Sequence, residues 1–214
     1  MSALELYFAP GACSFVPHVG LEAAGLSFEP KLVKLHRGES RTPEYLAMNP
    51  NGQVPVLVVD GRPLTQIVAI CEYIDRAAPA AGLLPRGSWE RSQALSQLAW
   101  FNSTPHPTAT RFFFPERYAE TQGAQGEVKK RAADEFRGYL QRIEKTLPTS
   151  AYWLGERLSF HDAYAITLLR WGGFAGIDPR SLPGYLAYAQ RVLLAPPAAA
   201  AAARERIGLD TYKS

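Results

Sequence analysis

A cysteine lies where the first predicted strand gives way to a helix, in a Pro-Gly-Ala-Cys-Ser run that contains Cys13. Unpaired backbone N–H groups and the positive end of a helix dipole favour the thiolate and attract anions. We therefore expect Cys13 to have a reactive thiol. A dithiol redox site would place a second cysteine three residues later, where this chain has Val16. Any thiol chemistry is therefore monothiol, and the competing interpretation is a small buried apolar residue.

A proline precedes the best candidate for a buried strand. The pair Val54-Pro55 comes directly before Val-Leu-Val-Val at 56–59. Proline cannot donate to a sheet ladder, so it must lie at the first residue of a strand or in a special turn. If the Val54–Pro55 peptide bond is cis, we expect the N–H and C=O groups of Val54 to face a ligand, which can pair with them as an added strand. The alternative is a trans proline that only begins the strand.

The third candidate is another loop that enters a helix, at Gln66 and Ile67. The first free N–H groups of a helix can bind a carboxylate. The Gln66 side chain can accept a hydrogen bond from an ammonium group. We therefore expect the start of this helix to hold a small charged group.

The elements that position these residues follow the order β-α-β-(α)-β-β-α and end near Arg76. Leu4 to Phe8 alternates as a strand does, and Asp60-Gly61 is a hairpin signal. The apolar spacing after Gln66 predicts a helix with one buried stripe, which places Cys71 in the core. A segment rich in Ala, Pro and Gly follows, and its composition is typical of a linker. The pattern predicts an α/β domain over residues 1–77, a linker over 78–88 and an all-helical domain over 89–214.

The helical part begins with a long predicted helix from Trp89 towards Tyr118, bent near Pro105 and Pro107. Further helices are predicted over 127–147, near 161–171 and over 183–194. The alanine-rich run at 198–203 is a strong helix former, so we expect a terminal helix there.

Composition excludes several classes of function. The net charge is +3 and the basic residues are scattered, so no clustered face predicts a nucleic-acid partner. No apolar stretch approaches the length of a membrane span, and no secretory signal is visible. The two cysteines do not make a disulfide framework, which favours a reducing, cytoplasmic location. The four histidines lack metal-ligand spacing, so we expect no metal.

Taken together, these motifs resemble the glutathione transferase family, and more narrowly its bacterial beta class. The resemblance covers essentially the whole chain. It implies a thioredoxin-like N-terminal domain (βαβ-ββα) followed by an all-helical C-terminal bundle. Its strongest parts are the Pro-Gly-Ala-Cys-Ser run with Pro17-His18, Asn-Pro-Asn-Gly-Gln-Val-Pro-Val-Leu at 49–57, Leu-Thr-Gln at 64–66, His106-Pro107, and the segments 152–157, 162–164 and 169–171.

The resemblance implies that glutathione lies across the first domain. Its cysteinyl part would pair with the backbone of Val54, beside Pro55, and its γ-glutamyl end would lie at the Gln66–Ile67 helix start. Its sulfur would lie near Cys13. By the same resemblance, Ser103 and His106 would face that sulfur from the helical domain.

The sequence departs from the family pattern at several of these positions. Ile67 stands where a serine is usual, so one hydrogen bond to the γ-glutamyl carboxylate is lost, which weakens binding by about 10- to 100-fold. Ala99 stands where the beta class often has an asparagine. The lysine expected after the second strand is absent, and Arg37 is its nearest replacement.

Aromatic residues of the helical domain would line an apolar pocket for the second substrate. The candidates are Trp100, Phe101, Phe112, Phe113 and Phe114.

Three functions remain open from the sequence. The first is a glutathione transferase that joins the thiol of glutathione to a small, largely apolar electrophile, with Cys13 and His106 as catalytic residues. The second is a monothiol glutathione-dependent disulfide reductase that works through Cys13, and the third is a non-catalytic binding module of the same fold. The resemblance also implies a homodimer.

Overall fold

A four-stranded mixed sheet forms the first part of the chain in the computed structural model, which describes residues 3–209. Strand β1 (Leu4–Phe8) pairs in parallel with β2 (Glu29–Leu32) and antiparallel with β3 (Val56–Val59). The other edge is β4 (Arg62–Thr65), so the strand order is β2-β1-β3-β4. All of β3 is buried because its residues alternate between two apolar clusters, one on each face of the sheet.

Three helices accompany the sheet, and six more form the second part of the described chain. The first three are α1 (Phe15–Ala23), α2 (Pro43–Met48) and α3 (Ile67–Ala77). Cys71 lies fully buried on α3, as the stripe predicts. The six that follow are α4 (Ser88–Ser103), α5 (Pro105–Phe113), α6 (Gln122–Lys145), α7 (Phe160–Phe174), α8 (Pro183–Leu193) and α9 (Pro196–Glu205). The predicted alanine-rich terminal helix is therefore confirmed as α9. Within residues 3–209, no helix is both long and apolar enough to cross a membrane.

Three predicted elements differ from the structure. The sequence pattern predicts a second strand over residues 27–35, and the observed strand contains only Glu29–Leu32. The helix predicted over 127–147 begins earlier, at Gln122, and ends at Lys145. The single bent helix predicted towards Tyr118 is wrong, because the chain breaks at Thr104 and begins a new helix at Pro105. A residue before proline is disfavoured in the α conformation, and Thr104 has φ −123° and ψ −73°. The break places His106 in the first turn of α5.

The two parts of the chain meet where α1 packs against α7 and α9. The contact is close at Gly20, where a Cβ atom would lie 2.2 Å from Cε1 of the buried Phe160 ring. Gly20 therefore allows the two helices to approach, and no larger residue fits between them as they stand.

We expect Gly20→Ala to lower the free energy of unfolding by about 3 kcal/mol, because the ring and both helices must shift. Gly138→Ala is the matched control, since a Cβ atom at Gly138 in α6 would meet nothing within 4 Å beyond the backbone of its own helix. That variant should gain about 0.5–1 kcal/mol through helix propensity. Urea denaturation of both variants measures the difference, and equal stability of the two variants would contradict the packing argument.

Candidate functional site

A cleft of about 650 Å³ separates the sheet domain from the helical domain. Six of the eight predicted site residues line it: Cys13, Val54, Pro55, Gln66, Ile67 and His106. The other two, Arg37 and Ser103, are exposed and lie outside its lining, whereas Arg41 and Asn102 line it. Arg37 is absent from the lining because its turn, Leu35–Arg37, presents Leu35 to the cleft instead. Ser103 is absent because successive helix residues point about 100° apart, so it cannot point in the same direction as Asn102.

The Cys13 side chain is buried at the floor of the strand-to-helix junction. Burial raises the pKa of Cys13 to about 12, and the charge of Glu205 adds to the effect, although the backbone N–H groups of Cys13 and Ser14 oppose it. The thiol lies within reach of the Val54 carbonyl oxygen, with Sγ 3.5 Å from that oxygen. The expectation that this helix start favours the thiolate is therefore wrong here, because loss of solvation outweighs the hydrogen bonds.

The Val54–Pro55 peptide bond is cis, as the ligand-facing interpretation of this segment requires. The turn before it is held from one side, because the Tyr45 hydroxyl and the Asn49 side-chain amide both donate to the Gln53 carbonyl oxygen, at 2.8 and 2.7 Å. Val54 is buried among the cleft residues beside Cys13. This segment is thus a fixed edge of the cleft.

The start of α3 has an unusual backbone. Gln66 has φ 73° and ψ 119°, a region that costs a residue with a side chain roughly 1–3 kcal/mol, and it lines the cleft with an exposed side chain. Ile67 is only 4% exposed and belongs to the main core. Its side chain is therefore mostly withdrawn from the cleft, which reduces the steric penalty expected from its departure from the family pattern.

His106 is neutral at neutral pH, because burial lowers its pKa to about 4. Its Nδ1 lies 2.7 Å from the Tyr164 hydroxyl, and that hydroxyl donates to Asn102 Oδ1 at 3.2 Å. A tyrosine hydroxyl that donates to Asn102 can accept from an N–H group at Nδ1 of His106, an arrangement that leaves the lone pair on Nε2. The ring also packs edge-on against Trp171, with centroids 4.9 Å apart. The imidazole is therefore held in one orientation.

The loop before Cys13 is held by residues from the far end of the chain. The Gly11 N–H donates to Glu205 Oε2 at 3.1 Å, and Trp171 Nε1 donates to the Gly11 carbonyl oxygen at 3.0 Å. The second carboxylate oxygen of Glu205 lies 2.7 Å from His18 Nδ1, and both side chains are fully buried. Gly11 has φ +73°, and a Cβ there would meet the Arg170 guanidinium at 3.0 Å. The helical domain therefore fixes the position of this loop.

Sequence reasoning missed Arg41, Asn102, Tyr164, Trp171 and Glu205 as contributors to the site. Tyr164 and Trp171 lie in segments that carried the family resemblance, so a signal existed for them. Glu205 follows an alanine-rich run and looks like an ordinary surface residue in sequence. Its burial depends on a contact 187 residues away along the chain.

The donor set of the cleft does not resemble a metal site. Among residues 3–209, no group of three or more His, Cys, Asp or Glu side chains is arranged to hold a metal ion. The arrangement offers instead a neutral imidazole, a thiol, backbone groups and two guanidinium groups around one space.

Family models match both parts of the chain. The model described as "Glutathione S-transferase, N-terminal domain" matches residues 2–76, and "Glutathione S-transferase, C-terminal domain" matches residues 101–196. This chain belongs to the glutathione S-transferase family. The match agrees with the resemblance found in the motifs, and it includes both sides of the cleft.

Individual relatives of the glutathione S-transferase family match most of the chain. Glutathione S-transferase GST-4.5 of Xanthomonas campestris is 34% identical over 191 residues, which cover 89% of this chain and 93% of that protein. Glutathione S-transferase GstA of Escherichia coli O157:H7 is 32% identical and covers 88% and 92%. A Sulfitobacter homologue solved with bound glutathione superposes with a TM-score of 0.89 at 28% identity, covering 97% of this chain and all (100%) of that one. A beta-class enzyme of Sphingomonas chungbukensis gives 0.82 at 32% identity, with 94% and 98% covered.

Proposed function

We propose that this glutathione S-transferase joins the thiol of glutathione to a small, largely apolar electrophile. The observation that carries the proposal is the cleft itself. It brings the Val54–Pro55 edge and the start of α3 within one space with His106 and the aromatic side chains of the helical domain. A peptide thiol and an apolar partner can therefore be held side by side, which makes their bimolecular reaction effectively unimolecular.

The first domain offers a place for each part of glutathione. The backbone of Val54 pairs with the cysteinyl part, and the free N–H groups at the start of α3 take the γ-glutamyl carboxylate. The opposite, glycyl carboxylate goes to Arg41 in place of Arg37. Arg41 lies next to the Val54 edge, since a Cβ on Gly52 would come within 2.8 Å of its Nη1 atom.

The chemical step requires that the thiol lose its proton and attack carbon. The Nε2 lone pair of His106 accepts the proton, and the sulfur–carbon bond forms as the leaving group departs with its electron pair. The proton then passes to solvent. Because His106 is neutral before reaction and Cys13 remains a thiol, the site can place a proton acceptor and a weak S–H donor near the same sulfur.

The two other functions have weaker support. A monothiol reductase needs a thiolate at Cys13 to attack a disulfide, and the pKa of about 12 opposes this. The departure at Ile67 favoured a binding module without glutathione, yet most of that side chain is buried in the core.

We further propose a homodimer located in the cytoplasm, with a small-molecule electrophile and no nucleic acid, membrane or metal as partner. The dimer rests on the family resemblance. The two cysteines of the described chain are both free, in keeping with a reducing compartment. Sedimentation equilibrium of the full chain measures the oligomeric state.

Calorimetric titration of the reduced protein with glutathione tests the proposal. We expect a dissociation constant between micromolar and low millimolar. Arg41→Gln should weaken binding about tenfold, because a charge-assisted hydrogen bond to a carboxylate is lost. Arg37→Gln is the matched control with the same loss of charge, and we expect a change of less than about twofold because Arg37 lies outside the cleft.

Absence of binding to the native protein would contradict the function. If Arg37→Gln lost more glutathione affinity than Arg41→Gln, Arg37 would be the residue that binds the carboxylate, as the sequence predicted. The rate at which the protein conjugates glutathione to 1-chloro-2,4-dinitrobenzene, monitored by absorbance, then tests the chemical step.

A further inference from the structure

Four aromatic rings, two of them exposed, form the helical side of the cleft. The Phe113 ring contacts those of Trp171 and Phe174, with centroids 5.6 Å apart in each pair, and lies 6.2 Å from Phe114. We call these four residues the aromatic wall. Phe114 and Phe174 are 39% and 59% exposed. Large rings grouped in a concave site and left open to solvent indicate a surface that an apolar, planar ligand covers.

A guanidinium group stands at the edge of the aromatic wall. After α5 the chain turns back, so that the Arg117 N–H donates to the Phe114 carbonyl oxygen at 3.1 Å, and its Cζ lies 4.1 Å from the Phe114 ring centroid. Stacking holds the guanidinium by its face and leaves its in-plane N–H groups available for a carboxylate. Within residues 3–209, the Arg117 side chain has no ion pair. Arg111 on α5, by contrast, pairs with Glu135 at 3.1 Å outside the cleft.

The charges around the cleft favour an anion. The charged side chains in its described lining are Arg41 and Arg117, and no aspartate or glutamate of the described chain belongs to that lining. The buried carboxylate of Glu205 lies behind Gly11, and both of its oxygens already have partners. Arg41 belongs to the glutathione side of the cleft. Arg117 is therefore the cation that remains for the second substrate.

We propose that the electrophile is an aromatic carboxylate, whose ring lies on the aromatic wall and whose carboxylate pairs with Arg117. The inference rests on the proposed function for the reaction. Binding of the aromatic carboxylate itself does not require glutathione, so it can be tested separately.

The test is a fluorescence titration without glutathione, using 3,5-dinitrobenzoate and its uncharged methyl ester as probes. Both quench tryptophan, and Trp171 belongs to the wall. We expect the native protein to bind the benzoate more tightly than the ester. Arg117→Gln should weaken benzoate binding about tenfold and ester binding by clearly less, because only the carboxylate loses its partner. Arg111→Gln removes the same charge outside the cleft, and we expect less than about a twofold change for either probe.

The proposal would be overturned if the native protein bound the ester more tightly than the benzoate, or if Arg117→Gln weakened the binding of both probes equally. The native protein gives a second measurement that needs no variant. Raising the salt concentration from about 0.05 to about 0.5 M should weaken the binding of the benzoate and leave that of the ester unchanged. Salt-insensitive benzoate binding would count against the ion pair. Failure of glutathione to bind while the benzoate preference persists would contradict the proposed function and the role of the aromatic carboxylate as electrophile, and would leave intact only its binding at the aromatic wall and Arg117.

Discussion

Glu205→Ala should lower the free energy of unfolding by about 3–5 kcal/mol, because it removes a buried carboxylate that binds a buried histidine and a partly buried backbone N–H group. One oxygen lies 2.7 Å from His18 Nδ1 and the other accepts from the Gly11 N–H. His18 Nε2 already has no hydrogen-bond partner in the described chain, so the variant leaves the whole imidazole unpaired in the core. Urea denaturation at fixed protein concentration measures the effect, since the stability of the proposed dimer would depend on concentration.

Two further variants separate this effect from a general weakening of α9. Glu205→Gln keeps the shape and one acceptor oxygen, and we expect it to lose about half as much stability as the alanine variant. Arg204→Gln removes an exposed ion pair with Glu22 and a contact of the guanidinium with the Phe28 ring, 5.5 Å from its centroid, which together should cost no more than about 1 kcal/mol. If Glu205→Ala unfolded at the same urea concentration as Arg204→Gln, the buried pair would not tie the two domains together.

His106→Ala should lower kcat for conjugation about 100-fold, which is the lower range for loss of a positioned proton acceptor. The imidazole is oriented by Tyr164 and Trp171, and the alanine that replaces it has no proton acceptor in its side chain. Because the pKa of His106 is about 4, the ring stays unprotonated from pH 5 to 8. We therefore expect no decline in rate from this residue across that range. Initial rates at saturating glutathione and several pH values provide the measurement.

The control for this prediction is His36→Ala, because His36 is exposed and lies outside the cleft. Its kcat should match that of the native protein. Cys13→Ala should cost less than His106→Ala, since the thiol acts only as a neutral donor. Turnover at the native rate by the double variant Cys13→Ala/His106→Ala would show that neither residue acts in the reaction.

Local patterns in the sequence were sufficient for most of the fold. The alternation of Leu4–Phe8, the hairpin at Asp60-Gly61 and the apolar stripe after Gln66 depend on neighbours within a few residues, which is the range over which strand and helix periodicity operates. The helix break at Thr104 is less well determined by such patterns. Two prolines indicate a bend, but only packing decides between a bend and a new helix.

The residues of the site divide in the same way. Cys13, Val54 and Gln66 lie at junctions between elements that the sequence predicts, and the family resemblance implied that they lie around one ligand. Asn102 lines the cleft and Ser103 does not, because adjacent residues of a helix point about 100° apart. Arg41 lines the cleft and Arg37 does not, because the two residues lie in different turns, Leu35–Arg37 and Glu39–Arg41.

The sequence by itself determined the family, the order of the elements and the junctions that border the cleft, because each follows from short runs of residues. Only the tertiary structure decided the chemical state of the site. The pKa values of Cys13 and His106 depend on how completely other parts of the chain exclude water. The link from Gly11 to Glu205 joins residues 194 positions apart, and no local pattern encodes such a contact.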